Sequence, residues 1–205
     1  MGRKSLKEAR QKEIIKEFYK LAKKEGIENT SIAKIAKKMD INPSLIIHYF
    51  QTREDLVYGL IEYILDKYQL IYKVSTKKPL DSRAALLEIM DNIFSKKWNT
   101  LFDDGLFYSC YSLTFRESKA RNMYKKLLDS LREALGNHIR QCREEGVLLA
   151  DNVEAVADNI FILVDGAYFY LSLVSDKNEY EEKLRKYKEQ AIELLCLSEV
   201  RTLSV

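Results

Sequence analysis

Asp40-Ile41-Asn42-Pro43-Ser44-Leu45-Ile46-Ile47-His48-Tyr49-Phe50 is the stretch on which the reading of this 205-residue chain turns. Asn42 is a strong N-cap residue, and Pro43 suits the first helical position, where its missing N–H removes no hydrogen bond. A short helix is therefore predicted over residues 43–50, ending near Gln51 and Thr52. Ile46 and Phe50, four apart, would face a core, while Ser44 and His48, also four apart, share the other side. Upstream, Thr30 or Ser31 can cap a helix in which Ile32, Ile35, Ala36 and Met39 recur at helical spacing. Two short helices across a three-residue turn make a helix-turn-helix.

The flanks fit this core motif. Residues 6–24 place Ile14, Ile15, Phe18, Leu21 and Ala22 on one helical stripe, and Gly26 ends that helix. After the motif, Thr52 can cap a fourth helix that starts at Arg53, carries Glu54 and Asp55 at its positive end, and runs to about Val74. Its broad stripe comprises Leu56, Leu60, Ile61, Ile64, Leu65, Tyr68, Ile71 and Tyr72, and residues 75–79 form the clearest loop. Charge is unevenly spread. Residues 1–55 hold 13 Lys/Arg against 8 Asp/Glu, a net +5, whereas the remainder holds 21 against 23, a net −2. A basic end on a near-neutral body is the electrostatic footprint of a nucleic-acid-binding segment.

Residues 26–50, with Gly26 ahead of the Thr30-Ser31 cap, Ile-Ala pairs in the second helix and Tyr49-Phe50 closing the third, are followed by Arg53-Glu54-Asp55-Leu56. Together they resemble the DNA-binding domain of the tetracycline-repressor (TetR) family over roughly residues 6–60. Ser44 and Ile47 depart from that pattern, standing where the family usually shows Gly and Tyr. The resemblance implies a homodimer on a palindromic double-stranded operator, repressing until a small-molecule inducer releases it. A recognition helix shows short or polar side chains to base edges and holds phosphates at its flanks. Pro43, Ser44, Leu45 and His48 suit base contact, with Asn42 at the helix start. Thr30, Ser31, Lys34, Tyr49 and Arg53 suit phosphate contact, and Arg3 and Lys4 can add an arm.

Beyond Pro79 further helices are predicted at about 81–98, 102–116, 118–145, 152–175 and 178–198, with breaks at Asn99-Thr100, residues 116–118, Gly146 and residues 176–178. Only seven Gly and two Pro interrupt a composition rich in Lys, Glu, Leu, Ile, Ala and Tyr. The predicted class is all-α with about nine helices: a three-helix helix-turn-helix domain at 1–52 and a helical ligand-binding and dimerisation domain at 53–205. Trp98, Phe107, Tyr108, Tyr111 and Phe115, with Phe161 and Tyr168 further on, offer a mixed apolar and polar ligand lining, although aromatics at helical spacing commonly serve as core. The helix after Asp151 is apolar almost all round and needs cover on both sides. It and the last helix, striped by Tyr180, Leu184, Tyr187, Ala191 and Leu194, could form a four-helix interface with a second copy, or simply the subunit's own core.

Other functions find little support. There is no Gly-rich phosphate loop, nucleophile elbow or metal motif, and only His48 and His138 are present, so no enzyme, metal site or cofactor is expected. The three cysteines show no ligand or disulfide spacing and fit a reducing cytoplasm. No run approaches a membrane span or a signal sequence. Two alternatives remain: a helical small-molecule-binding or adaptor protein that no longer reads DNA, and a thiol sensor at Cys142, which lies between Arg140 and Arg143.

Overall fold

A computed structural model describes residues 3–68, 70, 80–96, 103–150 and 152–198, with side chains from Leu6 onward. The elements are α1 (Arg3–Glu25), α2 (Ile32–Met39), α3 (Pro43–Tyr49), α4 (Arg53–Tyr68), α5 (Ser82–Ile93), α6 (Asp104–Ser112), a 3₁₀ turn (Leu113–Phe115), α7 (Ser118–Glu144), α8 (Val153–Leu171) and α9 (Lys177–Leu194). Nine α-helices and no strand are present among the described residues, in keeping with the all-α expectation. The one extended feature described is an antiparallel bridge between Leu148 and Leu197.

α1–α4, α6 and the start of α7 to Lys126 gather into one compact unit. Ile14, Phe18, Ala22, Ile35, Ala36, Ile46, Leu56, Leu60 and Ile61 are buried there, so the helical stripes legible in the sequence meet in one core. Cap chemistry fixes the order of turns. Gly26 takes φ 83, and Asp40 ends α2 in the left-handed region at φ 53, a conformation that a short polar side chain tolerates better than most. The Ile41 amide then bonds back to the Ala36 carbonyl at 3.0 Å. Thr52 and Asp55 cap α4 reciprocally, the Asp55 amide donating to Thr52 Oγ1 at 3.0 Å and the Thr52 amide to Asp55 Oδ2 at 3.3 Å. Near the far end of α4, the Lys67 ammonium lies 3.8 Å from the centroid of the Tyr19 ring and 4.6 Å from that of Tyr63, a cation–π clasp onto α1.

The second unit comprises α5, α7 from Leu127, α8 and α9. Leu86, Ile89, Met90, Ile93, Leu135, Ile139, Ile160, Leu171, Leu184 and Ala191 form its core. Asp81, Asn152 and Asp176 cap α5, α8 and α9 through their carboxylate or amide oxygens. These units divide the chain differently from a cut at 52/53. Leu60, Ile61 and Ile64 of α4 are buried with the N-terminal helices, and α6 packs against α1.

Several helices are shorter than periodicity suggests. α5 stops at Ile93, α8 at Leu171 and α9 at Leu194, so apolar spacing outruns the helices, although Ser172 and Leu195 still hold right-handed helical dihedrals at their C-caps. After Leu194 the chain turns through Cys196, at φ 46, into the bridge with Leu148, which tertiary pairing alone specifies. The expected extension of the fourth helix to Val74, the loop at 75–79 and the break at Asn99-Thr100 lie outside the described residues.

Close packing of α4 on α1 and α3 depends on Gly59, where an added Cβ would stand 2.8 Å from Ile15 Cδ1 and 3.2 Å from Phe50 Cε1. Ile15 and Phe50 are themselves buried and have little room to move. Gly59→Val should lower stability by about 2–3 kcal/mol through overpacking, measured as an earlier chemical-denaturation midpoint.

Candidate nucleic-acid interface and effector region

The presentation of α3 begins with its caps. The Asn42 side-chain oxygen accepts from the Ser44 amide at 2.9 Å, Pro43 occupies the first turn, and the Phe50 amide closes on the Ile46 carbonyl at 2.8 Å. Gln11 of α1 donates its Nε2 to the Tyr49 carbonyl at 3.2 Å, tethering the other end. Ile46 and Phe50 are buried. On the opposite side Asn42, Pro43, Ser44, Ile47 and His48 are exposed, and Leu45 and Tyr49 are partly so. Ser44, Ile47 and His48 stand at i, i+3 and i+4, so one face presents a hydroxyl, an aliphatic patch and an imidazole together. Ile47, with 48% of its surface open, thus joins this face, although the sequence marks it only as a departure from a family pattern.

Around α3 the proposed phosphate ligands divide into three kinds. Ser31 is exposed and caps α2 by accepting from the Lys34 amide at 3.3 Å, which leaves its own hydroxyl hydrogen free to donate. Lys34 pairs with Glu25 Oε2 at 2.5 Å and the Asn29 carbonyl at 3.0 Å, an exposed arrangement that a phosphate can displace at little cost. The Arg53 guanidinium donates one bond to the Ile27 carbonyl at 2.6 Å, which fixes its position while further N–H groups remain to bind an anion. Thr30 belongs elsewhere. It is 2% exposed and its hydroxyl donates to the Gly26 carbonyl at 2.9 Å, closing the end of α1. The Thr-Ser pair does not reveal which member faces inward; packing selects Thr30, whose methyl group suits the interior. The side chains of Arg3 and Lys4 lie outside those described.

The aromatic candidates fall in both compact units. Trp98 lies outside the described residues. Phe107, Tyr108, Tyr111 and Phe115 fall in the unit that contains the helix-turn-helix, whereas Phe161 and Tyr168 belong to the other unit. There Phe161 lies beneath the Arg132 guanidinium, 4.6 Å from ring centroid to Cζ. The Tyr168 hydroxyl donates to the Ile93 carbonyl at 2.5 Å, and burial pushes its pKa above the usual phenol value. Both thus serve helix packing. In the first unit, Phe107 and Tyr111 stack with centroids 6.3 Å apart, and each meets Tyr124 edge-on, at 5.9 and 5.4 Å. Phe115 meets Tyr111 at 5.7 Å. Tyr124 was not among the residues expected from sequence, where the repeat Ala120, Tyr124, Leu127, Leu131 reads simply as a buried stripe on α7.

Cys142 and Cys110 lack the environment of a thiol sensor. Cys142 is buried, donates to the Ser82 carbonyl at 3.2 Å, and has its thiol pKa raised chiefly by that burial. Arg140 instead engages Glu154 at 3.3 Å and Asn137 at 2.7 Å. Cys110 is pushed up to about 12, again mainly by burial. Among the described residues, no group of three or more His, Cys, Asp or Glu could hold a metal, and no helix is long and apolar enough to cross a membrane.

A short, doubly tethered helix with one face buried and the other presented beside basic groups defines a helix-turn-helix protein of the DNA-binding class. Residues 14–58 match the family described as bacterial regulatory proteins, tetR family, and residues 81–197 match the tetracyclin repressor-like C-terminal domain. The chain belongs to the tetracycline-repressor family of bacterial transcriptional regulators, with an N-terminal DNA-binding helix-turn-helix and a C-terminal ligand-binding domain. It is 20% identical over 196 residues to the HTH-type transcriptional regulator PksA of Bacillus subtilis, covering 95% of this chain and 93% of that protein. A TetR transcription regulator from Haloarcula marismortui shares the fold with TM-score 0.79 at 20% identity, over 93% of this chain and 100% of its own. A transcriptional regulator from Saccharomonospora viridis, solved in complex with choline, does so with TM-score 0.71 at 15% identity, over 93% and 99%.

The placement of Thr30 separates a structural from a DNA-contacting role. Thr30→Val should cost about 1 kcal/mol of folding stability, the value of one net hydrogen bond, and leave DNA affinity unchanged once the protein is folded. Thermal denaturation and a fluorescence-anisotropy titration of DNA read the two effects separately.

Proposed function

We propose that the protein is a homodimeric repressor that occupies a palindromic operator and is released by a small-molecule inducer. The observation that carries this reading is the exposed face of α3, where Pro43, Ser44, Ile47 and His48 are offered while Ile46 and Phe50 anchor the helix from behind. Ser44 and His48 supply hydrogen-bonding groups for base edges, and Pro43, Leu45 and Ile47 can pack on thymine methyl groups. Ser31, Lys34, Tyr49 and Arg53 hold phosphates on either side, with Asn42 ordering the helix start. Residues 1–52 would read DNA, and residues 53–205 would sense and dimerise, within the cytoplasm where the operator resides.

The second copy would dock on α8 and α9. Ile162, Phe169 and Leu173 are 64%, 61% and 73% exposed and follow one another at seven and four residues, with Gly166 between them leaving open space for close approach. Large apolar side chains in such a row favour a protein partner. A twofold dimer would set two α3 helices in major grooves about 34–36 Å apart or at a longer multiple. α4 is the lever, since it starts at Arg53 beside the recognition helix. An inducer shifts the equilibrium only through its difference in affinity for the two states.

Operator titrations of Ser44→Ala with His48→Ala should show an affinity loss of about 1–3 kcal/mol per lost base contact, and the affinity should fall with added salt as phosphate contacts demand. Indifference to both changes would overturn the recognition-helix assignment. A protein that shows no salt-dependent DNA binding would instead be a helical ligand-binding or adaptor protein. Ile162→Asp with Phe169→Asp should shift sedimentation from dimer to monomer and weaken operator binding in parallel.

A further inference from the structure

We propose that the Tyr124 hydroxyl is the hydrogen-bonding anchor of the effector site, and that the effector is a small, uncharged, largely apolar molecule carrying one hydrogen-bond acceptor such as a carbonyl. This rests on the reading that the protein answers to a small molecule. Tyr124 is 3% exposed, and among the described residues its hydroxyl has no hydrogen-bond partner. Buried polar groups are overwhelmingly bonded, because removing a hydroxyl from water without replacing its bonds is costly. Other tyrosines here follow that rule: Tyr168 donates to the Ile93 carbonyl, and Tyr58 donates to Glu117 Oε2 at 2.7 Å.

The surroundings indicate what would satisfy Tyr124. Phe107 and Tyr111 meet its ring edge-on, and Phe115 packs on Tyr111. Exposure rises from Tyr124 through Tyr111, at 37%, to Phe115, at 72%, so a run of ring contacts leads from solvent to the buried Tyr124 ring. Aromatic faces and edges accept a flat or compact apolar body, and an unsatisfied buried donor selects an acceptor. Cys110, close enough to influence Tyr124 electrostatically, is held as a neutral thiol by burial. A charged ligand group would lose its hydration among these rings, and an anion would also meet the field of Glu28, which reaches Cys110. Tyr124 is thus a specificity-determining residue.

The experiment uses two probes of matched size, acetophenone and ethylbenzene, which differ chiefly in the carbonyl. Binding to the full-length protein is measured by ligand-observed NMR titration for wild type, Tyr124→Phe and Tyr111→Phe. Wild type should prefer acetophenone by about five- to tenfold, the size of one buried hydrogen bond. Tyr124→Phe should abolish that preference with ethylbenzene affinity unchanged, and Tyr111→Phe should retain it. Because the hydroxyl has no partner in the free protein, Tyr124→Phe should melt at or above the wild-type temperature. Binding of neither probe, an equal affinity for both in wild type, persistence of the preference in Tyr124→Phe, or a lowered melting temperature would each overturn the proposal. A parallel operator titration keeps the two readings apart. Acetophenone bound through Tyr124 without any change in operator affinity sinks induced release and leaves the anchor standing, whereas release that ignores Tyr124→Phe sinks the anchor alone.

Discussion

A seven-residue helix has too few internal hydrogen bonds to persist alone in water, so everything α3 does depends on how Ile46 and Phe50 are held. Ile46 is fully buried, and Phe50 reaches the space that Gly59 leaves open on α4. Asn42 and Pro43 set the first turn, and Gln11 holds the last carbonyl. With its inner face and both ends fixed by other elements, α3 can leave Ser44, Ile47 and His48 without structural duties. The pinning of Arg53 to the Ile27 carbonyl extends the same logic to its flank, since a guanidinium already ordered loses less entropy when it binds a phosphate.

Tyrosines divide the molecule by what their hydroxyls do. Tyr58 binds Glu117 and lies beneath the Lys119 ammonium, 4.0 Å from its ring centroid, joining α4 to the start of α7. Tyr168 ties α8 to the end of α5. Tyr19 and Tyr63 clasp Lys67, whose ammonium pKa is lowered first by burial and then by nearby Lys23. Tyr124 alone among these four sites leaves a buried donor unmatched. That contrast gives the aromatic cluster on α6 and α7 a directional polar feature that ring packing by itself would lack.

In α8, burial and exposure follow two faces of one apolar helix. Ala157, Ile160, Phe161, Ala167 and Leu171 enter the core, while Ile162 and Phe169 face outward. A helix with apolar residues all round needs two covers; the chain's own α5, α7 and α9 supply one, and the proposed second copy supplies the other. The Arg132–Asp158 ion pair at 2.9 Å links α7 to α8, and partly exposed pairs of this kind contribute little to stability.

The helix class, the helix-turn-helix and the caps of α2, α3 and α4 were legible in the chain because they depend on local chemistry: Ser31, Asn42-Pro43 and the Thr52/Asp55 pair act within three residues of where they stand. Residue type and spacing also marked Ser44 and His48 as sharing one exposed face. Packing had to decide the rest. It turned Thr30 inward and Ser31 outward, placed Phe107, Tyr111 and Phe115 in one compact unit and Phe161 and Tyr168 in the other, and brought Tyr124 against Phe107 and Tyr111 with its hydroxyl unmatched. Each of these outcomes depends on neighbours distant in sequence, and periodicity reports which face of a helix is apolar without reporting what that face will meet.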